Sequence, residues 1–285
     1  MQVPRGEIFG LLGRNGAGKT TLLRILTTLI PPSSGTVQVL GHDVVRAPLA
    51  VRKSICVVLQ ENAVEIFLSV EDNFATYGRF HGIPKNELRD RAAAAMEQFG
   101  LTEVRRHKVI DLSGGMKRRV QVAKVFMVDR PVVFLDEATT GMDPINKRAT
   151  LDAVLEQARR GRTILLTTHI LQEAEELCDR IAIIDRGRLI ASGDLGTIKA
   201  MVADVIDLTV TYTALTEAIL AGLRALPVLR CDIHHATVTL GVRGTEALDI
   251  LSRLPARDRI VHFEAGSASL EEVFLEILGR QEARA

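Results

Sequence analysis

An octapeptide with three glycines and a lysine, Gly13-Arg14-Asn15-Gly16-Ala17-Gly18-Lys19-Thr20, restricts the fold of this chain more than any other stretch. It fits G-x-x-x-x-G-K-T, a phosphate-binding loop that sits between a buried strand and a helix. Both flanks agree. Residues 6–12 (G-E-I-F-G-L-L) read as a buried strand, and residues 21–28 (T-L-L-R-I-L-T-T) have helical apolar spacing. The glycines allow a tight turn whose amides face inward. Lys19 would then reach the β- and γ-phosphates, Thr20 would place its hydroxyl on Mg²⁺, and the helix N-terminus would favour the anion. With glycine at about 7% of residues, a chance match in a chain of this length is on the order of 1%.

Two downstream strings answer the loop. Val132-Val133-Phe134-Leu135-Asp136-Glu137 places Asp136 at the carboxyl end of a buried strand, where ligands bind in open α/β sheets. Asp136 would hold Mg²⁺ and Glu137 would polarise an attacking water. Leu112-Ser113-Gly114-Gly115-Met116 opens a helix expected over residues 116–127. A serine and two glycines at a helix start form an anion site, though taken alone the plain N-cap reading of Ser113 would win. Because the chain already has one site for the terminal phosphate, a second implies action on another subunit's nucleotide.

Composition narrows the class. The 285 residues are 47% hydrophobic and 25% charged, enough for one large domain and a small one. A net charge of +1 implies no basic face for nucleic acid, and 4% aromatics without Trp argue against a base-stacking platform. Cys56, Cys178 and Cys231 are widely spaced and read as reduced, partly buried thiols. No secretory leader is visible, and no apolar run approaches the ~18–20 residues of a membrane span. A membrane role therefore needs a partner.

Strands are expected at 36–40 and 54–59, the second ending at Gln60. Helical patterns follow at 70–80 and 85–99. Strands return at 132–135, 163–168 and 181–185, with helices at 146–160 and 171–178 between them. The fold class is α/β: a P-loop NTPase core over residues 1–203 with a helical insertion at about 62–130. Residues 204–285 read as strand (205–211), helix (216–226), strands (229–233 and 236–242), helix (246–254), strand (259–263) and helix (270–278). That βαββαβ order suits a small α+β, ferredoxin-like domain, for which a dimerisation or regulatory role is the default expectation. His234-His235 reads as a turn pair rather than a metal site.

On these motifs the chain resembles the ATPase subunit of ATP-binding cassette (ABC) transporters over roughly residues 4–200. The resemblance implies ATP and Mg²⁺. Gly13, Arg14, Asn15, Gly16, Ala17, Gly18, Lys19, Thr20 and Thr21 match the Walker A region, and residues 132–136 match Walker B. Glu137 matches the catalytic glutamate and His169 the switch histidine. Gln60 matches the Q-loop glutamine, which contacts Mg²⁺ or water and senses the membrane subunit. Thr20, Gln60 and Asp136 are thus the implied metal set. Ser113, Gly114 and Gly115 match the signature motif, and Thr140-Gly141-Met142-Asp143 the D-loop. Two such subunits stack head to tail, so that each ATP lies between one Walker A loop and the other signature motif. The implied partners are a second copy and a membrane-spanning permease, without nucleic acid, on the inner face of the cell membrane.

The string D-L-S-G-G-M-K-R-R and the tail S-L-E-E-V-F-L-E-I-L-G resemble the antibiotic-resistance, daunorubicin-exporter kind. Family members carry one or two more strands before Walker A, with an aromatic residue that stacks on adenine. Here Phe9 is the only aromatic ahead of Gly13 and lies in the strand, so no adenine platform is expected within the chain. Two other readings remain. One is a truncated, catalytically impaired cassette. The other is a soluble cassette ATPase acting on ribosome or DNA, disfavoured by a single cassette with no heptad run and no zinc cysteines.

Overall fold

Ile8, Phe9, Gly10, Leu11 and Leu12 are all buried and form β1 (Ile8–Leu12), the strand that feeds the phosphate loop. The computed structural model describes residues 1–61, 63–201, 205–267 and 269–282. By packing, the chain divides into two units, Met1–Ser192 and Gly193–Ala285. The boundary expected at 203/204 and the start of the helical insertion at 62 lie outside the described residues.

In the first unit α1 (Lys19–Leu26) follows the loop, a short hairpin is made by β2 (Gln38–Val39) and β3 (His42–Asp43), and α2 (Pro48–Ser54) leads into β4 (Ile55–Val58). The helical insertion contains α3 (Val70–Phe80), α4 (Lys85–Gln98) and α5 (Gly114–Phe126). The chain then alternates through β5 (Val132–Asp136), α6 (Pro144–Arg159), β6 (Thr163–Thr168), α7 (Leu171–Leu177), β7 (Arg180–Asp185) and β8 (Arg188–Asp194).

The sheet order is β4-β5-β6-β1-β7-β8, with β4 to β7 running parallel. Near-continuous apolar strands follow from this, because helices cover both faces of a parallel sheet. Register matters more for function. Leu12 lies opposite Thr168, and Asp136 opposite Thr167, so the ends of β1, β5 and β6 finish at one level. The loop after each strand starts there.

The core of this unit joins Phe9, Leu11, Phe134 and Leu165 of the strands to Leu23 of α1 and Val51 of α2. Truncating a fully buried leucine such as Leu23 to alanine would cost ~2–5 kcal/mol. In the insertion, the Ser69 side chain caps α3 by accepting from the Asp72 amide, and Glu71 and Asp72 complement the helix dipole. The expected strand at 36–40 shortens to two residues, because Leu40 (φ 52°) and Gly41 (φ 82°) turn the chain into β3. Arg186 and Gly187 (φ 48° and 76°) do the same between β7 and β8, as a two-residue hairpin turn requires.

The second unit holds α8 (Leu195–Ala200), β9 (Val205–Tyr212), α9 (Glu217–Arg224), β10 (Arg230–His234), β11 (Thr237–Arg243), α10 (Ala247–Arg253), β12 (Ile260–Ser267) and α11 (Leu270–Glu282). Its antiparallel sheet has the order β10-β11-β9-β12, the ferredoxin-like arrangement expected from the βαββαβ pattern. Leu208, Val210, Tyr212, Val238 and Leu240 pack with Ile219, Leu223 and Ile250 in a second core. His235 turns β10 into β11 with φ 55°, and His234 closes β10 just before that turn, so only one of the two histidines lies in the expected turn.

Candidate active site

The phosphate loop is shaped by close approaches. A Cβ on Gly13 would lie 2.4 Å from the Ile184 carbonyl oxygen of β7, so only glycine passes there. Gly18 has φ 106° and is the residue before α1, which begins at Lys19 rather than Thr21. Arg14, Asn15, Gly16 and Thr21 are exposed, and Thr20 is half-buried. Lys19 is buried, and its ammonium donates to the carbonyls of Gly13 (2.7 Å) and Arg14 (3.1 Å). Burial lowers its pKa, while Glu137 and Asp136 oppose that shift.

Beside the loop, Asp136 is 1% exposed. Its Oδ1 accepts from the Thr167 hydroxyl and, at 3.5 Å, from the Thr20 hydroxyl. Its Oδ2 is buried without a hydrogen-bond partner. An orphaned carboxylate oxygen costs free energy unless a cation or water meets it. A hard divalent cation fits, since Mg²⁺ takes one or two carboxylates together with hydroxyl, water and phosphate oxygens. Among the described residues no cluster of three His, Cys, Asp or Glu could hold a metal.

Glu137 departs from the strand with φ 48°, a left-handed conformation costing an L-residue roughly 1–2 kcal/mol. The Glu137 amide donates to the Thr167 carbonyl (3.1 Å) and hydroxyl (3.2 Å), which hold the turn. The carboxylate is thereby set between two side chains. Gln60 Nε2 donates to Oε2 at 3.4 Å, and His169 Nδ1 lies 3.2 Å from Oε1. The three residues expected to do the chemistry thus meet at one carboxylate. Such a group can take a proton from water when its neighbours fix its direction.

Ser113, Gly114 and Gly115 form no part of this cluster. Ser113 caps α5, its hydroxyl accepting from the Met116 amide at 3.2 Å. Ser113 and Gly114 are exposed, whereas Gly115 packs against the D-loop, where a Cβ would lie 3.2 Å from Met142 Cα. The Asp143 carboxylate caps α6, accepting from the Asn146 amide at 3.0 Å, and this bond holds its pKa below the usual range. Phe9 is fully buried in β1 and offers no stacking face.

Sequence reading missed Arg118 and Gln121. Arg118 is 6% exposed and donates to the carbonyls of Leu59, Asp136, Glu137 and Ala138. It stands in the run M-K-R-R, which looks like a solvated charged face, and no spacing rule separates it from its neighbours.

Comparison with known proteins gives the family. The family model described as ABC transporter matches residues 1–140. The daunorubicin/doxorubicin resistance ATP-binding protein DrrA of Streptomyces peucetius is 38% identical over 98% of this chain and 86% of that protein. This chain belongs to the ABC-transporter ATP-binding subunits. The Nod factor export ATP-binding protein I of Paraburkholderia xenovorans is 35% identical, over 98% of this chain and 90% of its own length. A solved ATP-binding subunit of an ABC transporter superposes with a TM-score of 0.65 at 30% identity, covering 70% of this chain and 84% of the other. The chain is an ATP-binding, ATP-hydrolysing ABC-transporter subunit related to multidrug and daunorubicin-resistance exporter ATPases. ABC ATPase subunits bind nucleotide, dimerise and pair with a membrane permease. Among the described residues no helix is long and apolar enough to cross a membrane.

Proposed function

We propose that this ABC subunit binds ATP with Mg²⁺ on the 13–20 loop, hydrolyses it at Glu137, and so drives efflux through a separate permease at the inner face of the membrane. The convergence of Gln60 and His169 on the Glu137 carboxylate, beside the unpartnered Asp136 oxygen, carries this reading. In it, Lys19 and the loop amides hold the β- and γ-phosphates. Thr20, Asp136 and Gln60 hold Mg²⁺, which would neutralise phosphate charge when bound. Glu137 takes the proton of the attacking water. Gln60 and His169 keep its carboxylate aimed, and His169 also touches the γ-phosphate.

The subunit works as a head-to-tail homodimer in this reading. Ser113 and Gly114 are exposed at the start of α5, and the partner's triphosphate is the anion they suit. Asp143 lies in the D-loop beside Gly115 and joins the same interface. A triphosphate held from both sides stabilises the closed pair, and its cleavage releases it. Export is inferred from relatives named for drug resistance and for Nod factor export. The test is self-association: Glu137→Gln should double in mass by light scattering with Mg²⁺ and ATP and remain monomeric with ADP. A monomer under both conditions contradicts the sandwich.

A further inference from the structure

Helix α5 carries three buried polar side chains three residues apart: Arg118, Gln121 and Lys124, at 6%, 1% and 7% exposure. That spacing puts them on successive turns of one side of the helix. Each finds main-chain oxygen in the segment after β4. Arg118 Nη1 donates to Leu59 (2.6 Å) and Gln60 (3.3 Å). Gln121 Nε2 donates to Leu59 (3.0 Å) and Glu61 (2.7 Å), and Lys124 Nζ donates to Ala63. The remaining Arg118 donors face the other way, Nη2 to Asp136 (2.6 Å) and Glu137 (3.2 Å), and Nε to Ala138 (3.2 Å). Gln121 Oε1 accepts from Arg118 at 2.9 Å and fixes the guanidinium plane.

Burying two cations and an amide is costly unless every donor is satisfied. Here the donors of Arg118 and Gln121 are spent on backbone in and beside Gln60 and Glu137. Arginine suits this because its rigid fork can serve two strips of carbonyls at once. The same helix is capped by Ser113, the residue proposed above to meet the partner's nucleotide.

We propose that Arg118 and Gln121, extended by Lys124, are positioning residues that transmit the placement of helix α5 to Gln60 and Glu137, so that engagement of one subunit's signature serine with the partner's nucleotide sets the hydrolytic geometry of its own site. This rests on the site assignments of the preceding section. Positioning errors near 1 Å cost ~10²-fold in rate, so small shifts of α5 suffice.

The experiment is a double-mutant cycle on ATP turnover by the full chain with Mg²⁺, using Gln60→Ala and Gln121→Leu. Gln121→Leu alone should lower kcat at least about tenfold and leave KM for ATP within about threefold. In the Gln60→Ala background its cost should be clearly smaller, because part of its effect passes through that residue and only the share that reaches Glu137 by way of Arg118 remains. Amide exchange should quicken in residues 57–61 and stay unchanged in residues 8–20. Should Gln121→Leu fail to fold, Arg118→Lys, which keeps the charge but loses the fork, runs the same cycle. Additive losses, an unchanged kcat, or equal changes in kcat and KM overturn the coupling. If Gln60→Ala itself hydrolyses ATP at the parental rate, the site assignment fails and the coupling falls with it.

Discussion

His169 Nδ1 lies 3.2 Å from Glu137 Oε1, joining the residue just beyond β6 to the residue just beyond β5. The contact follows from register, since Asp136 pairs with Thr167 in the parallel ladder. His169→Ala should therefore lower kcat by ~10²-fold, the usual cost of removing one preorganised polar contact. ATP affinity should change little, because the 13–20 loop is untouched. Steady-state turnover and equilibrium nucleotide binding check this together. A loss confined to binding would remove His169 from the hydrolytic step.

The metal assignment rests on one oxygen. Asp136 Oδ2 is buried without a partner, while Oδ1 is already held by two threonine hydroxyls. Asp136→Asn should raise the half-saturating Mg²⁺ concentration for ATP turnover by more than about tenfold, the lower bound for groups around a metal. An unchanged Mg²⁺ requirement would place the cation elsewhere.

Action across the dimer can be read by complementation. Gly114 has open space where a Cβ would sit, whereas Gly115 is packed against Met142 and Gly141. Gly114→Asp is therefore the clean probe of the signature motif, as it should spare the fold. Lys19→Ala and Gly114→Asp should each be inactive alone. Mixed, they form heterodimers with one intact composite site, and turnover should return to roughly a quarter of the parental value, given random pairing and independent sites. Loss of ATP binding by monomeric Gly114→Asp would contradict a role across the interface.

Most residues of the candidate site are legible in the sequence, and the fold brings them together. Lys19 opens the helix after a glycine loop, and Asp136, Glu137 and His169 stand at or just beyond the ends of apolar strands, where residue types are easy to read against their neighbours. The ferredoxin-like order was readable too, because alternation and turn residues bound each strand from β9 to β12. What escaped has physical reasons. Helix α2 is seven residues long and begins at Pro48, too short to show a period. Strand β8 is an edge strand with mostly exposed or half-buried residues, so it lacks the apolar run that marks its neighbours, and only Arg186-Gly187 signals its hairpin turn. The Arg118–Gln121 staple joins residues about sixty positions apart through backbone carbonyls, which carry no side-chain identity for a sequence to display.

The second unit has a pH signature. Burial, reinforced by the neighbouring Glu272, raises the Asp207 pKa to about 6, with Arg230 opposing the shift. A raised carboxyl pKa means that the folded state binds the proton more tightly than the unfolded one. Its contribution to stability is present at acid pH and is lost as pH rises through about 6. Asp207→Asn, which cannot ionise, should thus melt higher than the parent above about pH 6, and the difference should shrink as pH falls below that value. Thermal melts of both proteins at pH 4.5 and 7.5 check the sign. A larger advantage for the variant at the acid pH would reverse it.

The account stands most directly on Glu137, whose φ of 48° and two side-chain neighbours set a carboxylate beside the phosphate loop. The decisive measurement is ATP turnover by Glu137→Gln, with nucleotide affinity measured on the same preparation. The amide keeps the size and one acceptor oxygen but cannot take a proton, so kcat should fall by ~10²–10⁴-fold while ATP binds as tightly as in the parent. Hydrolysis at the parental rate would mean that another group activates the water and that the site drawn around Glu137 is wrong.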